Sequence, residues 1–419
     1  MKKEKLKYGR DFTLVVAGQI ISLFGNAILR FALPLYLLRE TGSSALFGTV
    51  TACALLPMIL LSLLGGILAD RVNKRNIMVG LDFLTALVIL AFYFLIGKAP
   101  VIPLFIVTLM ILYGISGTYQ PTVQASIPAL VPRERVLSAS AIVNQIGSLA
   151  NFTGPVIGGM LYGFWGINSI LQVSIFCFTL SAVMEILIRI PHHKYSGKEK
   201  IFYIIKGDLQ DSLRFLSEKK PVFIHVCFII AGLNFFLSSM VTIGIPVMIV
   251  DRLLMTDQLL GITQGFLAVG GIIGGGLTVI FEKRLNPEKA YIFLFLCSIF
   301  ACVMGAGMLI PQELRFIKYL ILTGAGMLIT VFSAVFSIQM LAVVQTETPA
   351  YLVGKVIACI MAFIMCAQPV GQLMYGILFE KVSYGISYIM AGTGAVSFFI
   401  SVYAKKILKE LGGKFETNK

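Results

Sequence analysis

The sequence predicts an all-α integral membrane protein with twelve transmembrane helices in two related halves. Hydrophobic residues make up 58% of the 419 residues and charged residues only 13%, which is more apolar side chain than one soluble core can bury. Twelve apolar runs are long enough to cross a bilayer, which takes about 20 residues. Proline-containing segments of the first half recur in the second half. These three observations define the predicted fold class.

The predicted spans are apolar runs separated by short polar segments. They lie near 12–38, 44–68, 76–96, 101–123, 139–162, 168–190, 221–249, 259–281, 289–310, 318–342, 352–378 and 386–404. We therefore predict an N-terminal six-helix bundle at 1–190, a cytoplasmic linker at 191–220 and a C-terminal six-helix bundle at 221–419. Apolar residues at helical spacing within the linker predict an amphipathic helix on the membrane surface.

The net charge of +14 is distributed unevenly along the chain. If the N-terminus is cytoplasmic, 27 of the 34 Lys and Arg residues fall in inner segments and six in outer loops. This is the positive-inside pattern, and it predicts a multi-pass protein of the cell membrane with both termini in the cytoplasm. The charge therefore indicates orientation, and no nucleic-acid partner is expected. The seven cysteines lie in apolar runs without metal-ligand spacing.

The first span carries polar residues on one helical face, Gln19, Asn26 and Arg30, spaced by seven and four positions. A polar face in a membrane helix is expected to contact protein or water. Asn26 and Arg30 are thus candidates for lining a transport cavity. Alternatively, Arg30 extends to the outer headgroups beside Arg39.

The turn after the second span reads GGILADRVNKR, from Gly65 to Arg75. Its matching residues, Gly66, Leu68, Ala69, Asp70, Arg71, Lys74 and Arg75, resemble the G-x-L-A-D-R-x-G-R-K segment of the major facilitator superfamily. Asn73 replaces the usual glycine, and asparagine tolerates a left-handed backbone. The resemblance implies a gate or conformational latch made of Gly66, Asp70, Arg71, Lys74 and Arg75. We expect Asp70 to dock on the helix start near Tyr351 to Gly354, favoured by the helix dipole.

The third and sixth spans each carry an acid. Asp82 is either a member of the charge cluster formed by Arg71, Lys74 and Arg75 or a proton-coupling site. Glu185 is predicted to form a helical ion pair with Arg189, or, less conservatively, to carry protons. Met110 occupies the position at which many proton-coupled members of the superfamily have an arginine, so that arginine cannot be used here.

Two segments resemble particular branches of the superfamily. The proline-rich turn from Pro121 to Ile142 is similar to macrolide-efflux and siderophore-export members. The segment NFTGPVIGGMLYG resembles an element of antiporters through Gly154, Pro155, Gly158 and Gly159. These small residues also allow close helix packing around a proline bend without any transport role.

The second half repeats the first. Pro132 and Pro349 lie 217 residues apart, and Pro155 and Pro369 lie 214 apart, which indicates duplication of a six-helix unit. In the seventh span, Asn234 is a further cavity candidate. His225 either titrates near neutral pH or is a hydrogen-bonded structural histidine.

The resemblance covers essentially the whole chain and implies two pseudo-symmetric six-helix bundles around a central cavity. It implies a secondary active transporter that exports a small amphipathic compound, such as a macrolide-like drug or a siderophore, by alternating access with proton antiport. The expected partners are a small-molecule substrate, protons and the lipid bilayer, and the protein is expected to be a monomer. No cofactor, metal site or catalytic residue is expected. An importer or lipid flippase of the same fold would share these features, whereas a polytopic membrane enzyme would need a catalytic cluster that the sequence lacks.

Overall fold

The computed structural model describes residues 9–190, 201–281, 285–349, 352–382 and 385–416. Within these ranges the side chains of 63–64, 66–67, 69–71, 201–206, 208 and 410–416 are not described. All regular secondary structure in the described residues is helical. The all-α prediction is confirmed.

Thirteen helices follow one another along the described residues. They are α1 (Arg10–Thr41), α2 (Ser44–Arg71), α3 (Lys74–Leu95), α4 (Val101–Leu130), α5 (136–165), α6 (167–186), α7 (Ile201–Arg214), α8 (Pro221–Arg252), α9 (Asp257–Ile280), α10 (Tyr291–Gly307), α11 (Arg315–Glu347), α12 (Val353–Lys381) and α13 (Ile386–Glu416). Helix α8 contains wide π-helical turns at Leu233–Ser238 and Met240–Gly244.

Helices α5 and α6 follow each other directly and are separated only by a break at Gly166. The run Val136–Ile186 has 51 residues, or about 77 Å at 1.5 Å per residue, against a bilayer core of about 30 Å. Gly166 has φ 71° and ψ −178°, a conformation that favours glycine and interrupts the helix. Eleven helical runs of the described chain are long and apolar enough to cross a membrane. Dividing this one at Gly166 gives the twelve predicted spans.

The chain folds into two compact units, each defined by contacts among its own residues. Unit 1 comprises 1–37 and 53–198, and unit 2 comprises 38–52 and 199–419. Residues 38–52, which the sequence analysis assigned to the first bundle, thus pack with the second half. At Gly48, a Cβ atom would lie 2.7 Å from the Gln372 carbonyl oxygen of α12. The start of α2 therefore lies directly against α12.

Small residues set the helix contacts of unit 1. A Cβ atom on Gly154 would overlap Ala27 of α1, and one on Gly117 would lie 2.6 Å from the Met58 carbonyl oxygen of α2. These contacts hold α1 against α5 and α2 against α4. A buried apolar core around Phe12, Val123 and Val143 fills one end of the unit.

Unit 2 uses the same packing device. Gly270 and Gly274 of α9 lie against the backbone of α11 at Met327 and Val331. Helices α12 and α8 approach at Gly371, where a Cβ atom would overlap the Phe235 carbonyl oxygen. Both units are thus built from helices whose backbones touch at glycine, as is common in membrane bundles.

The linker residues 201–214 form the predicted helix α7. Leu209 and Leu213 are exposed on it, whereas Asp211 forms an ion pair of 3.0 Å with Lys355 of α12. Residues 191–200 of the linker lie outside the described part of the chain. An exposed leucine face on this helix fits the predicted position at a membrane surface.

Candidate functional site

Two glycines of α1 position its polar face against α6. A Cβ atom on Gly18 would lie 3.3 Å from Glu185 Cγ and from Ser181 Oγ, and one on Gly25 would lie 3.1 Å from the Phe178 ring. Ser22 lies one turn from each glycine on the same helix face. The two glycines therefore let the short Ser22 side chain reach across to α3 and α6.

Ser22 connects Asp82 to Ser181. Its hydroxyl donates to Asp82 Oδ2 at 2.6 Å and lies 2.9 Å from Ser181 Oγ. Ser181 Oγ also donates to the Gly18 carbonyl oxygen at 3.1 Å. Asp82 is only 1% exposed. Helices α1, α3 and α6 thus meet at one hydrogen-bonded carboxyl group.

Glu185 follows Ser181 by one helical turn and is fully buried. The Tyr119 hydroxyl of α4 donates to Glu185 Oε1 at 2.6 Å. Among the described residues, Glu185 Oε2 has no hydrogen-bond partner, and neither do the amide nitrogen and oxygen of the fully buried Gln19. Unpartnered buried polar atoms are rare in folded proteins and often mark functional sites. We define the acidic cluster as Ser22, Asp82, Tyr119, Ser181 and Glu185.

One sequence prediction for these acids is wrong, and a second is tested only in part. Glu185 forms no ion pair with Arg189, because α6 ends at Ile186 and the helical spacing stops there. Arg189 is exposed, and its backbone nitrogen donates to Asp11 Oδ1. Asp82 accepts from Ser22 and forms no ion pair with Lys74 or Arg75, whereas the side chain of Arg71, the third base of the predicted charge cluster, lies outside the described residues. Within the described residues, neither acid has a cationic partner.

Arg30 lies two turns beyond Ser22 on the same face of α1. Its guanidinium carbon lies 4.1 Å from the centre of the Tyr113 ring of α4, and Nη2 lies 3.1 Å from the Met58 sulfur of α2. Arg30 therefore turns into the helix bundle, and its predicted extension to the headgroups beside Arg39 is wrong. Arg39 instead forms an ion pair of 2.9 Å with Asp257 in unit 2.

Asn26 lies between Arg30 and the acidic cluster. Its amide nitrogen donates to the Ser22 carbonyl oxygen at 2.9 Å, and Ser116 Oγ of α4 lies 3.5 Å from Asn26 Oδ1. Gln19, Ser22, Asn26 and Arg30 thus form a continuous polar stripe on α1. The predicted clustering of Gln19, Asn26 and Arg30 on one face agrees with these contacts.

The turn after α2 is only partly described. The surroundings of Gly66 and the side chains of Asp70 and Arg71 lie outside the described residues, as does Tyr351 at the start of the predicted docking position. Asn73 has φ −59° and ψ 117°, so it is not left-handed as expected. Its Oδ1 accepts from the Arg75 backbone nitrogen at 3.0 Å, which caps α3. Lys74 and Arg75 are half-buried.

The antiporter-like element of α5 is a packing surface against α1. Gly154, Gly158 and Gly159 are buried, and Pro155 lies within the helix. A Cβ atom on Gly158 would lie 3.1 Å from Phe31 and 3.4 Å from the Ile28 carbonyl oxygen. This geometry fits the packing interpretation, and any additional antiporter role stays a prediction.

The remaining candidates belong to unit 2 and do not join the acidic cluster. Asn234 donates to the Ile230 carbonyl oxygen at 3.1 Å, within its own helix. His225 Nδ1 lies 3.1 Å from the Pro221 carbonyl oxygen, as expected for a structural histidine. Among the described residues, no group of three His, Cys, Asp or Glu side chains is arranged to hold a metal ion.

The sequence analysis missed three members of the acidic cluster. Ser22 could have been found, because it lies three residues after Gln19 and four before Asn26 on the polar face. Tyr119 and Ser181 gave no such signal, since hydroxyl residues are common in apolar runs of this chain. Their role depends on which helices are neighbours.

The sequence of this chain matches a known protein family. The family model described as Major Facilitator Superfamily matches residues 15–367. Macrolide efflux protein A of Streptococcus pyogenes is 25% identical over 394 residues, covering 91% of this chain and 92% of that protein. Multidrug resistance protein MdtG of Salmonella typhi is 23% identical over 431 residues, covering 96% of each. The predicted superfamily is confirmed. A macrolide-efflux protein is among the relatives that this chain resembles.

Solved structures support the same fold. A bacterial homologue of the human lysosomal transporter Spinster aligns with a TM-score of 0.72 at 13% identity, covering 95% of this chain and 96% of that chain. A bacterial homologue of the iron transporter ferroportin aligns with a TM-score of 0.69 at 14% identity, covering 94% and 98%. The chain belongs to the Major Facilitator Superfamily and is a multi-pass membrane protein of a transporter family.

Proposed function

We propose that this protein exports a small amphipathic compound across the cell membrane by alternating access, in exchange for protons. The candidate compounds are macrolide-like drugs and siderophores. The macrolide-efflux and multidrug relatives, at 23–25% identity, support efflux as the direction of transport. The names of these relatives do not assign a substrate to this chain, and the accumulation assay described below identifies it.

The observation that carries the proton-coupling proposal is the acidic cluster. Asp82 and Glu185 are both buried in membrane-spanning helices, and no described cation pairs with either. A buried carboxylate without a cation is costly in an apolar environment. Binding a proton removes that cost, and releasing the proton requires a change in the surroundings of the carboxyl group. Such a group can link proton binding to a conformational change.

The hydroxyl groups of the cluster extend from Asp82 toward Glu185 as far as Ser181, one helical turn before it. Ser22 and Ser181 lie between Asp82 and the helical turn that carries Glu185, with oxygen separations of 2.6 and 2.9 Å. A hydroxyl can donate and accept simultaneously. We infer that Asp82 and Glu185 act as one proton-binding unit, with Tyr119 holding the orientation of Glu185.

The other parts of the proposal come from the sequence. Gly66, Asp70, Arg71, Lys74 and Arg75 act as a conformational latch, and both termini lie in the cytoplasm. The transporter functions as a monomer without a cofactor. An importer or a lipid flippase of the same fold is the main alternative, and the direction of transport separates these from an exporter.

Export is tested by expressing the protein in a drug-sensitive bacterial host. Intracellular accumulation of radiolabelled erythromycin and of a panel of amphipathic compounds is compared with that in cells carrying an empty vector. We expect lower accumulation of at least one compound, and dissipating the proton gradient should abolish the difference. Raised accumulation of panel compounds, with none lowered, would identify an importer and contradict the export proposal.

Coupling is tested in proteoliposomes that contain a trapped pH-sensitive dye. Substrate-driven proton movement is measured for the wild type, Asp82→Asn and Glu185→Gln. Each variant should lower proton movement at least about tenfold, the effect of roughly 1.4 kcal/mol. Glu218→Gln is the matched control, because Glu218 is an exposed acid paired with Arg214. Coupling that survives both changes in the acidic cluster would contradict its proposed role.

A further inference from the structure

Arg30 is a half-buried arginine for which the described residues provide no oxygen acceptor. Its contacts are the face of the Tyr113 ring at 4.1 Å and the Met58 sulfur at 3.1 Å. Its Nε atom is buried and has no hydrogen-bond partner. Guanidinium groups carry five N–H donors and normally bond to several oxygens when they are enclosed by protein. Most of the donor capacity of Arg30 is therefore unused.

The position of Arg30 inside a membrane-spanning helix makes its unused hydrogen-bond donors unusual. It is the 21st residue of α1, about 30 Å along the helix at 1.5 Å per residue, within a membrane-spanning segment of 32 residues. Charged residues inside such segments are costly and usually pair with an opposite charge. No described acid pairs with Arg30, and Asp82 and Glu185 are bonded to hydroxyls of the acidic cluster. The charge of Arg30 thus lacks a partner within the described residues.

The neighbours of Arg30 orient the guanidinium without neutralising it. The guanidinium carbon lies over the Tyr113 ring, which attracts the cation without accepting its N–H groups in ordinary hydrogen bonds, and a sulfur atom is only a weak acceptor. A guanidinium with these neighbours keeps most of its N–H groups, including Nε–H, available for hydrogen bonds to a carboxylate or a similar oxyanion. The aromatic and thioether surfaces beside it are apolar. This combination matches an amphipathic molecule that ends in an anionic group.

We propose that Arg30 binds an anionic group of the transported compound, with Tyr113 and Met58 contacting its adjacent apolar part. This inference rests on the proposed export of an amphipathic compound and defines its charge. It favours compounds with a carboxylate or related oxyanion, as in many siderophores, over cationic drugs. A macrolide that carries a protonated amine would meet the positive charge of Arg30.

The competing explanation is that Arg30 only braces α1 against α4 through the cation–π contact. A brace would affect stability equally with any ligand. An anion-binding residue instead changes the preference between a charged ligand and its neutral analogue. The ratio of two affinities, measured on the same protein, separates the two roles.

The test measures equilibrium binding to the full-length protein in lipid nanodiscs without a proton gradient. The probes are fluorescent pyrenebutyrate and its uncharged methyl ester, followed by fluorescence anisotropy. The wild type should bind the acid at least about tenfold more tightly than the ester, since hydrogen bonds to charged groups contribute roughly 1.5–3 kcal/mol. Arg30→Gln should bind both probes equally, and Arg30→Lys should retain part of the preference because it keeps the charge but loses the planar fork.

Arg39→Gln is the matched control, because it removes a positive charge from the same helix at a residue that pairs with Asp257. It should keep the acid preference of the wild type. If Arg30→Gln does not elute as a monodisperse protein, partial loss of preference in Arg30→Lys is the deciding result. A wild type that binds the acid no tighter than the ester, or an Arg30→Gln variant that keeps the preference, would overturn the proposal.

The result is independent of proton coupling. Asp82→Asn and Glu185→Gln should keep the acid preference in this assay even when they lose proton movement in proteoliposomes. Loss of coupling with an intact preference affects only the proposed function. Loss of preference with intact coupling affects only the role of Arg30.

Discussion

The two units share a packing device but differ in the chemistry of their interiors. Unit 1 encloses two carboxyl groups, Asp82 and Glu185, at 1% and 0% exposure. In the described part of unit 2, the buried polar side chains are hydroxyls and amides, apart from Lys318 in the first turn of α11. The two units thus share glycine-mediated helix packing, but the buried acids of the described residues lie in unit 1. Proton chemistry is accordingly expected in one half.

The difference is visible at matching positions. Tyr119 lies 13 residues before Pro132, and Phe336 lies 13 residues before Pro349, the related proline of the second half. Both side chains are buried. Tyr119 donates to a carboxylate, whereas Phe336 has no hydroxyl to donate. Among the described residues of unit 2, the buried hydroxyl of Tyr375 lies 2.6 Å from Thr393 Oγ, and that of Tyr319 donates to the Leu259 carbonyl oxygen at 3.1 Å.

The largest expected difference comes from removing one tyrosine hydroxyl in each unit. Tyr119→Phe removes the hydroxyl that donates to Glu185, and substrate-driven proton movement should fall at least about tenfold, as for a lost charged hydrogen bond. Tyr375→Phe leaves Thr393 bonded to the Ile389 carbonyl oxygen. Its effect should be less than about threefold, the low end of the range for a neutral hydrogen bond, because Thr393 keeps that other bond. Equal losses in the proteoliposome assay would contradict the difference between the units.

A smaller effect is expected from a buried serine in each unit. Ser22→Ala breaks the link between Asp82 and Ser181 and should lower proton movement about three- to tenfold, the range for one hydrogen bond. Ser298→Ala in α10 removes only a bond to the Phe295 carbonyl oxygen of its own helix. Proton movement by that control should match the wild type. If both serine variants behave alike, the hydroxyl path is wrong.

The latch should have a more modest effect. Asp70→Asn removes the charge that is proposed to interact with a helix dipole, and transport in the drug-sensitive host should fall about two- to fivefold. The amount of protein in the membrane should stay unchanged on an immunoblot. Glu134→Gln, an exposed acid near the start of α5, serves as the control. Full transport by Asp70→Asn would exclude the latch.

The smallest effect is expected at the ion pair between Arg39 and Asp257. Their side chains are 32% and 18% exposed, and ion pairs that solvent reaches contribute about 0.2–1 kcal/mol. A double-mutant cycle with Arg39→Gln and Asp257→Asn, measured by thermal unfolding in nanodiscs, should give a coupling energy in that range. The coupling should weaken at high salt. A coupling energy above that range would contradict the expectation that this ion pair in unit 2 has only a small effect.

Much of the fold could be predicted from the sequence, because apolar length fixes the number of spans and helical spacing fixes their polar faces. The stripe of Gln19, Asn26 and Arg30 followed from spacing alone. The pairing of Glu185 with Arg189 failed because a helical spacing was extended past the end of α6 at Ile186. A cap or a break near a helix end decides such cases, and the sequence shows it weakly.

The composition of the candidate site could be predicted only in part. Both acids were identified as intramembrane charges, but their union through Ser22 and Ser181 depends on how closely α1 approaches α6. Gly18 and Gly25 permit that approach, yet glycines are frequent throughout this chain. Likewise, the contact of Arg30 with Tyr113 depends on helix rotation, which hydropathy does not report.

The central claim is that the acidic cluster holds the coupling proton. Infrared difference spectroscopy of the purified protein tests it most directly, because a protonated carboxyl group absorbs separately from a carboxylate. We expect a protonated-carboxyl band that changes when substrate is added and that is lost or shifted in Asp82→Asn or Glu185→Gln. A substrate-induced spectrum without such a band, or with a band that both variants leave unchanged, would contradict the account.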